Sequence, residues 1–153
     1  MTIEKFLSML TGSSLFLCRC DQFEDKAELL VSDIEREYYN SLTPGFLKSI
    51  ERLRKRFFIS CWIKNENEVS TMWGAFASSS SGIAIKTNIG RLKMCYHGKR
   101  ELELFDVRYI NHKTEMVQPL IDRTNDYYYF ITKRQFYRSE NECKHSVNPV
   151  LAV

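Results

Sequence analysis

Phe57-Phe58-Ile59-Ser60-Cys61-Trp62 is an unbroken apolar run with Arg54-Lys55-Arg56 before it and the polar stretch 64–70 after it. Its length, and the aromatic and β-branched side chains in it, predict a buried strand. Just upstream the periodicity changes. Phe46, Leu47, Ile50, Leu53 and Phe57 recur at helical spacing, so a helix runs directly into the strand. The opposite side of that helix carries Lys48, Arg52, Arg54, Lys55 and Arg56, the one concentrated basic patch in the sequence.

Outward toward the N-terminus, Thr43-Pro44-Gly45 punctuates the chain. Ala27, Leu30, Val31, Ile34 and Tyr38 predict an earlier helix capped by Asp25. Ser14-Leu15-Phe16-Leu17-Cys18-Arg19-Cys20 reads as a first strand that stops at Asp21. In the other direction, a short segment holds Met72, Trp73 and Phe76, and four serines, Ser78 to Ser81, follow it. Further strands are expected over 82–87, 92–96 and 102–110, with His97-Gly98-Lys99-Arg100 as a turn. A short helix is expected over 114–122. Tyr127 to Ile131 reads as buried, strand or helix end, and Ser139 to Lys144 as the entry to a last strand. Helices early and strands later predict an α+β fold: N-terminal helices packed on a mostly antiparallel, split sheet, in a single domain over 1–153.

The 153 residues leave room for one sizeable core, and 44% hydrophobic with 27% charged content excludes a disordered chain. A net charge of +3 does not by itself point to nucleic acid. Five cysteines form no paired motif, so they read as reduced, buried thiols rather than a disulfide framework. His97, His112 and His145 have no metal-ligand spacing, and no metal is expected. No apolar run is long enough for a signal-peptide core or a bilayer span, which predicts a cytoplasmic protein with no membrane partner.

Several separated segments resemble one family when taken together. They are Leu15 to Arg19 with Phe23 and Asp25; Ser60-Cys61-Trp62; Glu66, Glu68, Ser70 and Met72-Trp73; Gly82 to Ile85; Val107 to Ile110; and Lys133-Arg134 with Phe136, Glu140 and Glu142. In this order the chain is similar to the bacterial domain of unknown function numbered two-nine-seven-one, over about residues 15–144. The resemblance implies a fold like that of ADP-ribosyltransferases and an accessory bacterial role, as a toxin or phage-defence effector. Two positions depart from the family pattern: Phe76 stands where a tyrosine is usual, and Lys144 where an arginine is usual.

That resemblance assigns roles. NAD is the implied substrate, and cleaving its nicotinamide bond builds positive charge at the ribose carbon. Glu142 is the implied carboxylate beneath that ring, and Glu140 the group that orients an acceptor nucleophile. The Arg19 guanidinium suits the diphosphate. Ser80 or Ser81 holds the ribose or Glu142, and Trp73, Phe76 or Tyr129 stacks on a ring. A protein or nucleic-acid acceptor fits equally.

Each motif also has a plain structural reading. Glu-x-Glu is common on solvated strands, serine runs are usually loops, and Arg19 can pair with Glu28. Two other functions compete. In a non-catalytic module, Lys48, Arg52, Arg54, Lys55 and Arg56 contact the phosphates of a nucleic acid, or an acidic partner. In a metal-dependent nuclease, Glu142-Cys143-Lys144 joins Asp21, Asp25 or Glu28 around magnesium.

Overall fold

The computed structural model describes residues 1–23, 31–67, 70–76, 82–96, 103–118 and 127–147. In chain order they form α1 (Ile3–Gly12), β1 (Cys18–Arg19), α2 (Asp33–Leu42), α3 (Phe46–Arg54) and β2 (Phe58–Ile63). There follow α4 (Ser70–Phe76), α5 (Ile89–Cys95), β3 (Glu103–Asp106), β4 (Arg108–Ile110), α6 (Tyr128–Ile131), β5 (Thr132–Arg134) and β6 (Glu142–Val147). Short 3-10 turns span Cys20–Gln22 and Gln135–Glu140. The class is α+β. Among the described residues, no helix is long and apolar enough to cross a membrane.

The chain divides into two compact units, one made of Met1–Leu17 with Asn65–Leu102, the other of Cys18–Lys64 with Glu103–Val153. In the first, the N-terminal amine donates to the Ile83 carbonyl at 2.8 Å and Ile83 returns a backbone bond to Met1 at 2.9 Å. Residues 82–87 were expected as a strand, but their backbone joins no sheet. Leu92 to Tyr96, also expected as a strand, is helical in α5, where the Asn88 side chain accepts from Arg91 N at 2.9 Å. Arg, Leu, Lys and Met are good helix formers, and with a cap they outweigh a five-residue strand reading. No described residue of this unit is buried.

The core lies in the second unit. Its main sheet has the order β1-β2-β6-β3, antiparallel throughout, and a separate parallel pair joins β4 to β5. The expected strand 102–110 therefore splits. Val107 N still donates to the Glu142 carbonyl at 3.0 Å, but β6 begins at Glu142 and a 3-10 turn precedes it. Arg108 has no partner left in that ladder and pairs with Thr132 instead.

Cys20, Phe57, Ile59 and Phe130 form one apolar cluster, with Phe57 stacked on Phe130 at 3.9 Å. Val31, Ile50, Ile110, Val117 and Tyr129 form a second, and Leu53 packs against both. Burying each large apolar side chain contributes roughly 1.5–3 kcal/mol. The apolar stripe read from 46–57 is thus the seam that joins α3 to the core.

Helix α2 begins later than the expected Asp25 cap, which lies outside the described residues. Its N-terminus is a capping box. Ser32 Oγ accepts from Glu35 N at 3.3 Å, while Glu35 Oε2 accepts from Ser32 N at 3.0 Å. Glu35 Oε1 also accepts from Gln118 N at 2.8 Å, so Glu35 is fully buried as an acceptor hub. This register leaves Ile34 and Tyr38 exposed, contrary to the expected stripe. The first strand is likewise shorter than expected, reduced to Cys18–Arg19. Of 114–122, the described part is turn and bend rather than helix.

Candidate functional site

The register of the main sheet separates the residues that the transferase reading needs together. Arg19 lies opposite Phe58, and Glu142 lies opposite Ile63, at the other end of β2. Five strand residues amount to about 17 Å. Opposed residues share a face, and an odd offset along one strand reverses it. Arg19 and Glu142 thus project from opposite faces at opposite ends of the sheet.

Each also has its charge engaged. Arg19 Nε and Nη2 grip the two carboxylate oxygens of Asp21 at 2.6 and 3.2 Å. The hydrogen bond and the opposite charge hold Arg19 above, and Asp21 below, their ordinary pKa values. Glu28, the partner weighed from sequence, lies outside the described residues.

Glu140 and Glu142 do not follow one another along a strand, because Asn141 between them turns left-handed, with φ of 44°. Both carboxylates instead reach Lys133 Nζ, at 2.6 Å from Glu140 and 3.2 Å from Glu142. Glu142 N donates to the Tyr109 hydroxyl oxygen at 2.8 Å, and burial chiefly raises the pKa of that phenol. The Glu142 side chain is only 4% exposed, so a ribose ring has no approach to it.

Tyr129, expected to stack on a ring, is in the core at 1% exposure, with its hydroxyl donating to Gln118 Oε1 at 3.2 Å. Trp73 belongs to the first unit and is partly exposed. Ser80, Ser81 and the Phe76 side chain lie outside the described residues. For the nuclease reading, Asp25 and Glu28 are also outside them, and Lys144 is fully buried. Among the described residues, no group of three or more His, Cys, Asp or Glu side chains gathers as a metal site. The thiols differ from their expected burial. Cys20 is buried, but Cys61 and Cys95 are exposed.

The basic face of α3 is present. Lys48 and Arg52 are exposed on the helix and Lys55 and Arg56 just beyond its end, and no ion pair among the described residues engages Lys48, Arg52 or Arg56. Arg54 is the exception. It lies four residues after Ile50, inside the apolar stripe, and its Nε is shielded from water.

A concave feature lies elsewhere in the second unit. A cleft of about 350 Å³ is lined by Val31, Asp33 and Arg36 near the start of α2, by Ile110 to Lys113, by Arg134 at the end of β5, and by Gln135 and Phe136 after it. Asp33 N donates to the His112 carbonyl at 2.9 Å, which ties the start of α2 to the turn. Asn111 Oδ1 accepts from Lys113 N at 3.1 Å and shapes that turn. Arg36, Lys113 and Arg134 are exposed, and Phe136 is 87% exposed at the rim.

His112 forms part of the wall. Both ring nitrogens are shielded from water, and neither completes a hydrogen bond with a described residue. Burial first, then Arg134, lowers its pKa below the ordinary 6.5, against weaker opposing pulls from the Ile110 backbone, Asp33 and Glu35. The neutral imidazole is therefore the resting form at neutral pH.

Sequence reading missed this cleft. Arg134 and Phe136 carried only a family resemblance, and Arg36, His112 and Lys113 carried no role. One linear signal was there to be read: Lys133-Arg134-Gln135-Phe136-Tyr137-Arg138 interleaves cations with aromatics. No protein-family model, curated protein or solved structure matches the chain. The likeness to the bacterial domain of unknown function rests on the sequence motifs alone.

Proposed function

We propose that this chain is a non-catalytic module that binds single-stranded nucleic acid through the cleft between α2, the 111–113 turn and the end of β5. One observation carries the reading: Arg36, Lys113 and Arg134 line the same concavity as an aromatic ring held in water. Cations that track phosphates, beside a ring on which a base stacks, are the elements that single-strand binding needs. The exposed side of α3 and the turn after it offer Lys48, Arg52, Lys55 and Arg56 as further phosphate contacts.

The test is fluorescence anisotropy of a labelled oligonucleotide across a salt series. The three cleft contacts alone predict that log K falls against log salt with a slope of about −2, since each single-strand phosphate contact contributes about −0.7, and any contact to the 48–56 cations steepens it. Arg134→Gln lowers the slope by about 0.7, whatever the base sequence. Affinity that ignores salt refutes the reading.

The NAD-dependent ADP-ribosyltransferase implied by resemblance, with its fold, is the competing proposal. It predicts NAD consumption that Glu142→Gln abolishes. The buried Lys133–Glu140–Glu142 cluster and the distant Arg19 weigh against it.

A further inference from the structure

We infer that the cleft recognises a strand end: it takes a terminal phosphate monoester, with the first base laid against Phe136. This rests on the single-strand reading above and narrows it to one kind of ligand.

Charge is the first argument. Arg36, Lys113 and Arg134, less Asp33, leave a net charge of 3 − 1 = +2 in the lining, with His112 neutral. A phosphate monoester near neutral pH carries about −1.5 to −2, twice the charge of an internal diester. The end of a strand matches the lining and its interior does not.

Size is the second. About 350 Å³ is near the lower bound of the roughly 300–1,000 Å³ typical of small-ligand sites, which suits one nucleotide. Grooves that track strand interiors run on for about four or more nucleotides.

The third argument is His112. Its ring nitrogens lie in the wall beside Arg134 and complete no hydrogen bond with a described residue. Because both nitrogens are shielded from water, a terminal phosphate acts on the ring through its negative charge, which favours a proton there. The groups that face the ring are Arg134 from β5, Asp33 and Glu35 from α2, and the Ile110 backbone from β4. None of them gives the ring a hydrogen bond of full geometry, and the Ile110 backbone contributes a weak one. Phe136 is the fourth. An aromatic side chain at 87% exposure contributes little to the core, but it gives a base a face to stack on.

The experiment compares one oligothymidylate in three forms: without terminal phosphate, with a 5′-phosphate and with a 3′-phosphate, each labelled at the opposite end. Thymidine monophosphate and inorganic phosphate are competitors. One phosphorylated end should bind at least about tenfold tighter than the unmodified strand, the scale of one charge-assisted hydrogen bond. Arg134→Gln and Lys113→Gln should each shrink that ratio, and Lys113→Gln guards against misfolding at Arg134. The His112 ring proton signals, followed by NMR across pH, should titrate higher with the phosphorylated strand than with the unmodified one.

Equal binding of all three strands, still weakened by salt, overturns the end-recognition proposal and leaves the single-strand reading standing. No binding of any strand overturns both. Displacement of the phosphorylated strand by inorganic phosphate as readily as by thymidine monophosphate also overturns the proposal, because the base then contributes nothing.

Discussion

Replacing Lys133 with methionine tests whether the Glu140 and Glu142 carboxylates are structural or available for chemistry. Lys133 Nζ lies 2.6 Å from Glu140 and 3.2 Å from Glu142, and the three side chains are 8, 13 and 4% exposed. At 3.2 Å and an effective dielectric constant of about 20, one such attraction is about 5 kcal/mol before desolvation is subtracted. Methionine keeps the volume but removes the cation the two acids share. Breaking a buried pair in this way typically costs about 3–5 kcal/mol.

Glu142→Gln behaves differently. It keeps the shape and an oxygen for Lys133, and leaves the closer Glu140 to neutralise the cation, so the loss should stay near or below about 1 kcal/mol. Urea unfolding followed by tryptophan fluorescence measures both, with an unchanged denaturant slope as the control. A loss at Lys133 below about 1 kcal/mol, or equal losses for the two variants, refutes the account of a shared internal cation.

Three further outcomes are expected of the folded protein. Burial pushes the Cys20 thiol up to about 12, so in the native protein it should resist alkylation near neutral pH while Cys61 and Cys95 react; mass spectrometry of the labelled peptides reads this directly. The folded state disfavours the protonated form of His112, so stability should fall as pH drops below about 6.5 toward the depressed native value. His112→Gln should flatten that acid-side slope in urea midpoints, and an unaltered slope assigns it to other groups. Phe136→Ala should change stability by no more than about 0.5 kcal/mol, as expected for a surface site, yet weaken strand binding.

Parts of this fold are legible in the sequence for identifiable reasons. The run 57–62 holds a central strand, although only Phe57 and Ile59 in it are buried, and the stripe Phe46, Leu47, Ile50, Leu53 reaches the core because a periodic apolar pattern reports the buried face directly. Glu35 shows where pattern reading fails. Hydropathy places an acid outside, but three donors, Ser32 N, Ser32 Oγ and Gln118 N, draw this one inside. The S-x-x-E signature at 32–35 announces the helix start, and the stronger-looking stripe from Ala27 to Tyr38 hides it.

The α3 cations were legible because they repeat along one helix. The cleft was not, because its charged groups come from α2, a turn and the end of β5, and only folding gathers them. Arg19 and Glu142 show the converse. Their order along the chain suits one pocket, but antiparallel register places them on opposite faces.

The pairing of β2 with β6 has a consequence for how the chain is made. Ile63 precedes its partner Glu142 by 79 positions, and β6 sits between β2 and β3. A ribosome therefore releases β1, β2 and β3 well before the strand that joins them. Until that last segment emerges, β2 and β3 have unsatisfied edges that invite wrong neighbours. Long-range closure of this kind slows folding, so maturation should depend on protection during synthesis.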